Sequence, residues 1–347
     1  KIQKKQIKKG TEKGERRIGI ELEDLKYIDR FKNLRVLVIG DVMLDQYIIG
    51  TATRISPEAP VPVIKLERQC YSVGGAGNVA RNVALLGAKT YLFGSVGCDF
   101  GASRIRECLH DYDNITYQFT MPNTLQTTIK TRIIADGVQM IRLDREGDSD
   151  RDQTAQLQKE NLITFIKEEV KEVDAIIISD YNKGILHEHI TPIIKENLDG
   201  LVFVDAKPDN LHKFYNVPAI IKPNKKEAFD FCEALNYNPT NVAEAGKFIQ
   251  NFLKAHSVLI TEGKDGMTLI DFLGHVTKIP SIHTLPIGNA IGAGDVSLAV
   301  FALTVVSDME MSKAAILANI AGALSLWGEG TGAVTAEELK ETAREWI

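Results

Sequence analysis

Short continuous apolar runs separated by helical patterns constrain this chain more than any other feature. Arg35-Val36-Leu37-Val38-Ile39-Gly40 has no polar alternation and ends on glycine, and comparable runs recur at residues 175–179, 201–205, 219–222 and 258–261. A strand that is apolar on both sides must be covered on both faces, which is the condition of a central parallel strand. Between these runs, residues 153–173 repeat apolar side chains at helical spacing, and Asn241 with Glu244 makes a capping-box start for a helix running towards His256. Strand and helix in alternation predict an α/β fold, a central mostly parallel sheet flanked by helices.

Two stretches break this rhythm. Residues 48–66 and 117–143 alternate β-branched and polar side chains, with prolines and Asp136-Gly137 as turn signals. They predict lid strands, from about 46–66 and 117–144, in a small β-sheet beside the core. Residues 1–30 are rich in lysine and arginine, with little apolar periodicity before Ile18, and predict a solvated basic extension ahead of an α/β unit over 31–347. A chain of 347 residues that is 44% hydrophobic can bury a large core without a metal or disulfide staple. Cys70, Cys98, Cys108 and Cys232 lie too far apart for a zinc site, which suits a reducing compartment. The net charge of -5 argues against a nucleic-acid surface spread over the protein. No apolar run approaches the roughly 20 residues needed to span a bilayer, and the first residues lack the apolar core of a secretory signal. The expectation is a cytoplasmic protein acting on small molecules, without a membrane or nucleic-acid partner.

Gly292-Ala293-Gly294-Asp295 is the sharpest chemical feature, because the apolar pattern over 296–306 marks a helix whose first turn holds this segment. Free N–H groups and the positive helix end can stabilise a transferring phosphoryl group there. A carboxylate beside them can take the proton of an attacking hydroxyl. Asp295 is then the general base and Gly292, Ala293 and Gly294 the anion hole, although an ordinary glycine turn with an acidic first-turn residue reads the same way.

Gly74-Gly75-Ala76-Gly77-Asn78 loosely fits a dinucleotide fingerprint with Asp99 downstream, but a true fingerprint follows the first buried strand directly, and that strand ends at Gly40. These glycines let backbone approach a small ligand, or form a tight loop into a helix, while Asn78 offers a donor and an acceptor to a pair of sugar hydroxyls. Asp41 and Asp45 follow the first strand, at the carboxyl edge where open α/β sheets bind ligands. They suit a polyol, and equally a helix cap and a solvated acid. No P-loop and no protein-kinase signature occurs. Asn224-x-x-Glu227 suits magnesium held through water, and is also a common helix start. Thr261, Gly263 and Gly266 form a turn that can cradle phosphate. His187 and His189, without a third ligand nearby, read as surface residues.

In this order, the Gly74 to Gly77 segment, Asn224-x-x-Glu227, Thr261-x-Gly263 and Gly292-Ala293-Gly294-Asp295 resemble the ribokinase-like, or PfkB, carbohydrate kinases over about residues 34–340. Arg54-Ile55-Ser56-Pro57-Glu58-Ala59-Pro60-Val61-Pro62-Val63 is similar to the lid segment of the D-glycero-β-D-manno-heptose 7-phosphate kinases, the kinase half of bifunctional heptose enzymes. Ser179-Asp180-Tyr181-Asn182-Lys183-Gly184 and Arg142-Leu143-Asp144 are similar to the same subfamily. The resemblance implies ATP, Mg²⁺, a heptose 7-phosphate acceptor phosphorylated at its anomeric O1 for lipopolysaccharide precursors, and a homodimer through the lid strands. It implies Asp295 as base, the Gly292 to Gly294 amides as anion hole, and Asn224 with Glu227 organising phosphates and magnesium, Glu227 through water. It also implies that Thr261, Gly263, Gly266 and Asn319 border the nucleotide, that Asp41, Asp45, Gly74, Gly75 and Asn78 surround the sugar, and that Lys130, Arg132, Lys183 and Lys207 are candidates to neutralise phosphate.

The family usually writes Asp-x-Thr ahead of the final motif, whereas this chain has Asn289-Ala290-Ile291. That implies altered monovalent-cation use and the loss of a hydroxyl close to the phosphates. Asn182 stands where the heptose subfamily usually has glycine. A kinase for another sugar or nucleoside, and a weakly active or non-catalytic relative, share the same motifs.

Overall fold

The structure is a computed structural model that describes residues 19–147, 151–170, 172–185, 188, 190–282, 291–327 and 330–347. His187, His189, Asn289, Ala290 and residues 1–18 of the basic extension lie outside them. Strand β1 (Arg35–Gly40) opens the main sheet, and β2 (Val42–Ile55) and β3 (Pro62–Gly75) leave it to start a second one. β4 (Lys89–Ser95) and β5 (Ile115–Thr120) return to the main sheet, then β6 (Ile129–Ala135) and β7 (Val138–Arg145) complete the second. β8 (Ala175–Ser179), β9 (Leu201–Asp205), β10 (Ile220–Ile221), β11 (Ser257–Thr261), β12 (Met267–Ile270) and β13 (Val276–Ile279) extend the first.

The main sheet runs β13-β12-β11-β10-β9-β8-β1-β4-β5, with every strand parallel except β12, which is antiparallel to both β11 and β13. Along β1, Val36 and Val38 enter one apolar layer and Leu37 and Ile39 the other, so the strand is buried on both faces as its unbroken apolar run requires. Helices Ala76–Leu85, Ala293–Val306, Met311–Ser325 and Ala336–Trp346 contribute to the first layer; Arg151–Glu168, Ile190–Asn197, Lys225–Ala234 and Val242–Leu253 contribute to the second. The helix Ala293–Val306 is apolar all round and buried from Asp295 to Thr304, so the residues of its first turn sit on a rigid mount.

Strand order reverses between β1 and β8. The chain adds β4 and β5 on one side and β8 to β11 on the other. Ligands of open α/β sheets bind outside the strand ends at such a point. Asp41 follows β1 there, and Asp180 with Tyr181 follows β8.

The second sheet has the order β3-β2-β6-β7. Asp136 and Gly137 close its β6–β7 hairpin with φ of 51° and 78°, the pair of positive values that a tight two-residue hairpin turn demands. The lid is smaller than the sequence suggests at one end: residues 115–120 form β5, an edge of the main sheet paired with β4. The basic extension is also shorter than expected. Leu22–Asn33 is a 3₁₀ helix that buries Leu25, Ile28 and Phe31, and Lys313 reaches Asp24 at 2.9 Å. The apolar spacing of three is the period of that helix, and the surrounding charges hide it from a search for the α-helical period. Among the described residues, no helix is long and apolar enough to cross a membrane.

Candidate active site

Gly292 caps the helix Ala293–Val306 in the left-handed region with φ of 82°. The turn aims the N–H groups of the first helical residues, which have no partner within the helix, into the cleft. Asp295 lies in that first turn at only 5% exposure. Asn78 Nδ2 donates to its Oδ2 at 2.7 Å, and the Tyr181 hydroxyl donates to its Oδ1 at 3.0 Å. Burial pushes the carboxyl up to about 6; the bond from Asn78 pulls it back, and the charge of Asp205 adds to the rise.

A Cβ on Gly292 would meet Asn78 Nδ2 at 2.7 Å, whereas one on Gly294 meets nothing nearer than Lys222 Nζ at 3.9 Å. Gly292→Ala is therefore expected to cost about 1–3 kcal/mol, through the left-handed backbone and the displaced Asn78. Gly294→Ala should stay within about 0.5 kcal/mol. Urea unfolding of the two variants checks this, and equal midpoints would contradict it.

The residues expected around a sugar hold one another. Asp41 Oδ2 accepts from the N–H groups of Tyr181 (2.8 Å) and Lys183 (3.0 Å), and its Oδ1 from that of Ile185 (3.2 Å), so this carboxylate staples the loop after β8. Burial and the neighbouring charge of Asp180 raise it to about 6. Gly75 has φ of 57°, and a Cβ there would fall 2.3 Å from the Asp41 carbonyl oxygen; one on Gly74 would fall 2.7 Å from Asp45 Oδ2. Asp45 is bonded to Arg132 at 2.6 Å, both side chains buried, and accepts from Thr331 Oγ1 at 3.1 Å. Arg132 thus neutralises a buried carboxylate, a different partner from the expected phosphate. Asn78 likewise serves Asp295 and contacts Asn82, not an open surface. Asp99 caps the helix Phe100–His110 by accepting from Ala102 N, which removes the ribose contact that a dinucleotide site would need.

Two further lysines face the cleft. Lys130 of β6 is half-buried with its ammonium 5.9 Å from the centre of the Tyr181 ring, and burial lowers its pKa. Lys183 bridges to Glu146 at 2.7 Å.

Beside Asp295 a cavity of about 160 Å³ is lined by Asp180, Tyr181, Asp205, Lys207, Lys222, Asn224, Glu227, Thr261, Gly292 and Gly294. Asn224 and Glu227 cap the helix Lys225–Ala234 reciprocally, and the other Glu227 oxygen accepts from Lys207 at 2.6 Å. Lys222 is 3% exposed and pairs with Asp205 at 2.7 Å. A second, more apolar cavity of about 260 Å³ is lined by Thr261, Gly263, Lys264, Gly266, Met267, Ala293, Ser297, Asn319, Gly322 and Leu326, and shares Thr261 and Gly294 with the first. Asn319 there donates to the Pro280 carbonyl. Among the described residues no group of three His, Cys, Asp or Glu side chains could ligate a metal directly.

Lys222, Asp205 and the contact of Tyr181 with Asp295 are absent from the sequence-based set. Asp205 ends β9 and Lys222 follows β10, so the rule that ligands gather at carboxyl strand ends could have flagged both.

The pfkB family carbohydrate kinase pattern matches residues 33–338. The chain belongs to that family. The pfkB assignment makes it a sugar kinase, and the ribokinase-like expectation holds for the fold. The bifunctional protein HldE of Caulobacter vibrioides is 37% identical over 325 residues, covering 90% of this chain and 64% of the relative. The bifunctional protein HldE of Nitratiruptor sp. is 33% identical over 310 residues, covering 89% and 65%. The chain thus spans just under two thirds of the length of these curated relatives. Among solved structures, phosphofructokinase-2 from Escherichia coli in complex with potassium superposes with a TM-score of 0.72 at 19% identity, over 90% of this chain and 99% of that one. Arabidopsis thaliana ribokinase complexed with ribose and ATP gives 0.66 at 16%, over 89% and 98%. At these identities the likeness to the two structures is one of fold.

Proposed function

We propose that this pfkB kinase transfers the γ-phosphoryl group of ATP to the anomeric O1 of D-glycero-β-D-manno-heptose 7-phosphate, giving the 1,7-bisphosphate. One observation carries the transfer geometry: the apolar cavity and the charged cavity meet at Thr261 and Gly294, with Asp295 on the wall of the second. A purine seated in the first extends its phosphates past the Gly292 to Gly294 turn towards the base. Likeness of the Arg54 to Val63 segment to the heptose kinases, and identity with the bifunctional HldE proteins, support the acceptor.

In this reading Asp295 accepts the proton of the acceptor hydroxyl as that oxygen attacks phosphorus, and ADP leaves. The helix N-terminal amides and the Lys222 ammonium hold the negative charge spread over the transferring oxygens. In this reading Lys130 of β6 and Lys183 of the loop after β8, the latter now paired with Glu146, would neutralise a phosphate already on the acceptor. The donor set fits magnesium in its usual hydrated manner: Glu227 and Asn224 border the charged cavity, and no direct cluster of three ligands exists among the described residues. Bound with the nucleotide, Mg²⁺ would neutralise phosphate charge, with Glu227 and Asn224 reaching it through water.

The lid supports a homodimer, since β7 is exposed along its length and presents Met140, Ile141 and Leu143. A cytoplasmic setting suits the four free cysteines. Asn289, uncharged where the family usually has aspartate, favours weak dependence on a monovalent cation.

ADP formation with heptose 7-phosphate, fructose, ribose and adenosine tests the substrate. The heptose should exceed the others at least tenfold in kcat/KM, with little response to potassium. A better response to any other acceptor would remove the heptose assignment.

A further inference from the structure

Tyr181 lies in the same cleft, and the proposed reaction leaves it without a role. Its main chain is pinned: the N–H donates to Asp41 Oδ2 at 2.8 Å, and the next residue, Asn182, adopts φ of 59° and donates to Asp180 Oδ1 at 3.1 Å. Asp180 in turn accepts from Lys207 N at 3.2 Å. The ring lies 5.9 Å from the Lys130 ammonium of the lid and 5.4 Å from the Lys207 ammonium of the body, within the range of cation–π attraction. From this seat the hydroxyl reaches Asp295 Oδ1 at 3.0 Å, while Asn78 holds the other oxygen.

We propose that Tyr181 is a positioning residue for the base: its hydroxyl holds one oxygen of the Asp295 carboxylate and turns the remaining lone pairs towards the acceptor hydroxyl. The catalytic part of this proposal rests on the kinase reading of the site. A phenol can donate to a carboxylate, which when ionised can only accept. Burial and the nearby carboxylates hold the Tyr181 hydroxyl well above its ordinary range, so it stays a donor throughout the working pH range.

The balance at Asp295 is close. Burial and Asp205 push its carboxyl up, and Asn78, Tyr181 and Lys222 pull it down. The charged and titratable groups facing it are Tyr181 after β8, Asp205 at the end of β9 and Lys222 after β10; Asp45 of β2, Lys130 of β6 and Lys207 surround the Tyr181 side chain. Removing the phenol hydroxyl takes away one donor to the charged form, so the proton leaves at higher pH.

In Tyr181→Phe the acid limb of kcat/KM against pH should therefore move up by about one pH unit. Activity at pH 6 should fall about fivefold, approach a tenfold loss below pH 5, and recover towards the parent value above pH 8. A loss of the same factor at every pH would mark a structural role and overturn the proposal. Fluorotyrosine at position 181, a stronger donor on the same ring, should move the limb the other way, and covers the case of a poorly folded phenylalanine variant.

A ¹³C-carboxyl NMR titration of the ligand-free protein, with Asp295 assigned by its loss in Asp295→Asn, separates the two layers. An upward shift of the Asp295 midpoint in Tyr181→Phe supports the proposal even if no acceptor in the panel is phosphorylated, which would fail the kinase reading alone. An unmoved midpoint overturns it.

Discussion

Asp295→Asn is expected to lower phosphoryl transfer by about two to four orders of magnitude while leaving a protein more stable than the parent at neutral pH. The activity loss follows from removing the proton acceptor, a contribution usually of 10²–10⁴-fold. The stability gain follows from burial. Burial pushes Asp295 up to about 6 from its ordinary 3.8, so the folded state binds its proton more tightly than the unfolded chain does. The stabilising effect of that proton is complete below about pH 3.8 and is lost as pH rises through about 6, where the folded protein must ionise a buried carboxyl. A rise of about two pH units corresponds to roughly 3 kcal/mol, an upper limit that the amide only partly recovers because Asn78 and Tyr181 both donate to this position. A gain of about 1–2 kcal/mol at pH 8, shrinking towards zero near pH 4, is the expected outcome of urea unfolding at both pH values. A less stable variant at pH 8 would show that the ionised carboxylate is well solvated by its donors.

Arg132→Met should show the reverse pattern, with a large cost in stability arising away from the reacting atoms. The guanidinium and Asp45 lie 2.6 Å apart with side-chain exposures of 7% and 6%, so removing one partner strands a buried charge. Such losses run to about 3–5 kcal/mol, whereas replacing both partners by apolar side chains of similar volume is often close to neutral. The double variant Asp45→Leu/Arg132→Met should therefore recover most of the loss. The same pair joins the lid to the body, because Thr331 donates to Asp45 and is itself bonded to Tyr47 at 2.9 Å. Urea midpoints of the two single variants and the double measure the coupling. A single variant that loses less than about 1 kcal/mol would mean that water reaches the pair.

Local signals carried most of the fold. An apolar run of five or six residues ending on glycine or aspartate has few alternatives to a covered parallel strand. Asn241 with Glu244, and Asp136-Gly137, act through bonds and backbone angles confined to a few neighbouring residues. The helix over residues 22–33 escaped because its three apolar contacts are spaced for a 3₁₀ turn amid charges. Within the site, Asp295 was legible because glycine, amide and carboxylate are adjacent in sequence. The environment of Asp295 was not. Asn78 is 217 positions away and Tyr181 114, and only the crossing of strands at the switch point brings them to one carboxylate. Asp45 and Arg132 share the same obstacle: each reads as a ligand group until β2 and β6 lie side by side, with Asp45 opposite Lys130 and Arg132 two residues further on reaching back to it.

Asp41 stands where β2 and β3, two of the four strands of the second sheet, join the body. Its N–H donates to Ser179 O, its carbonyl accepts from Ala76 N just beyond the end of β3, and β2 starts at the next residue. Its side chain fixes the loop that carries Tyr181. The junction of the two sheets and the anchor of Asp295's partner are thus one residue. A rotation of β2 and β3 about Asp41 would therefore be felt at Tyr181 and, through its hydroxyl, at Asp295.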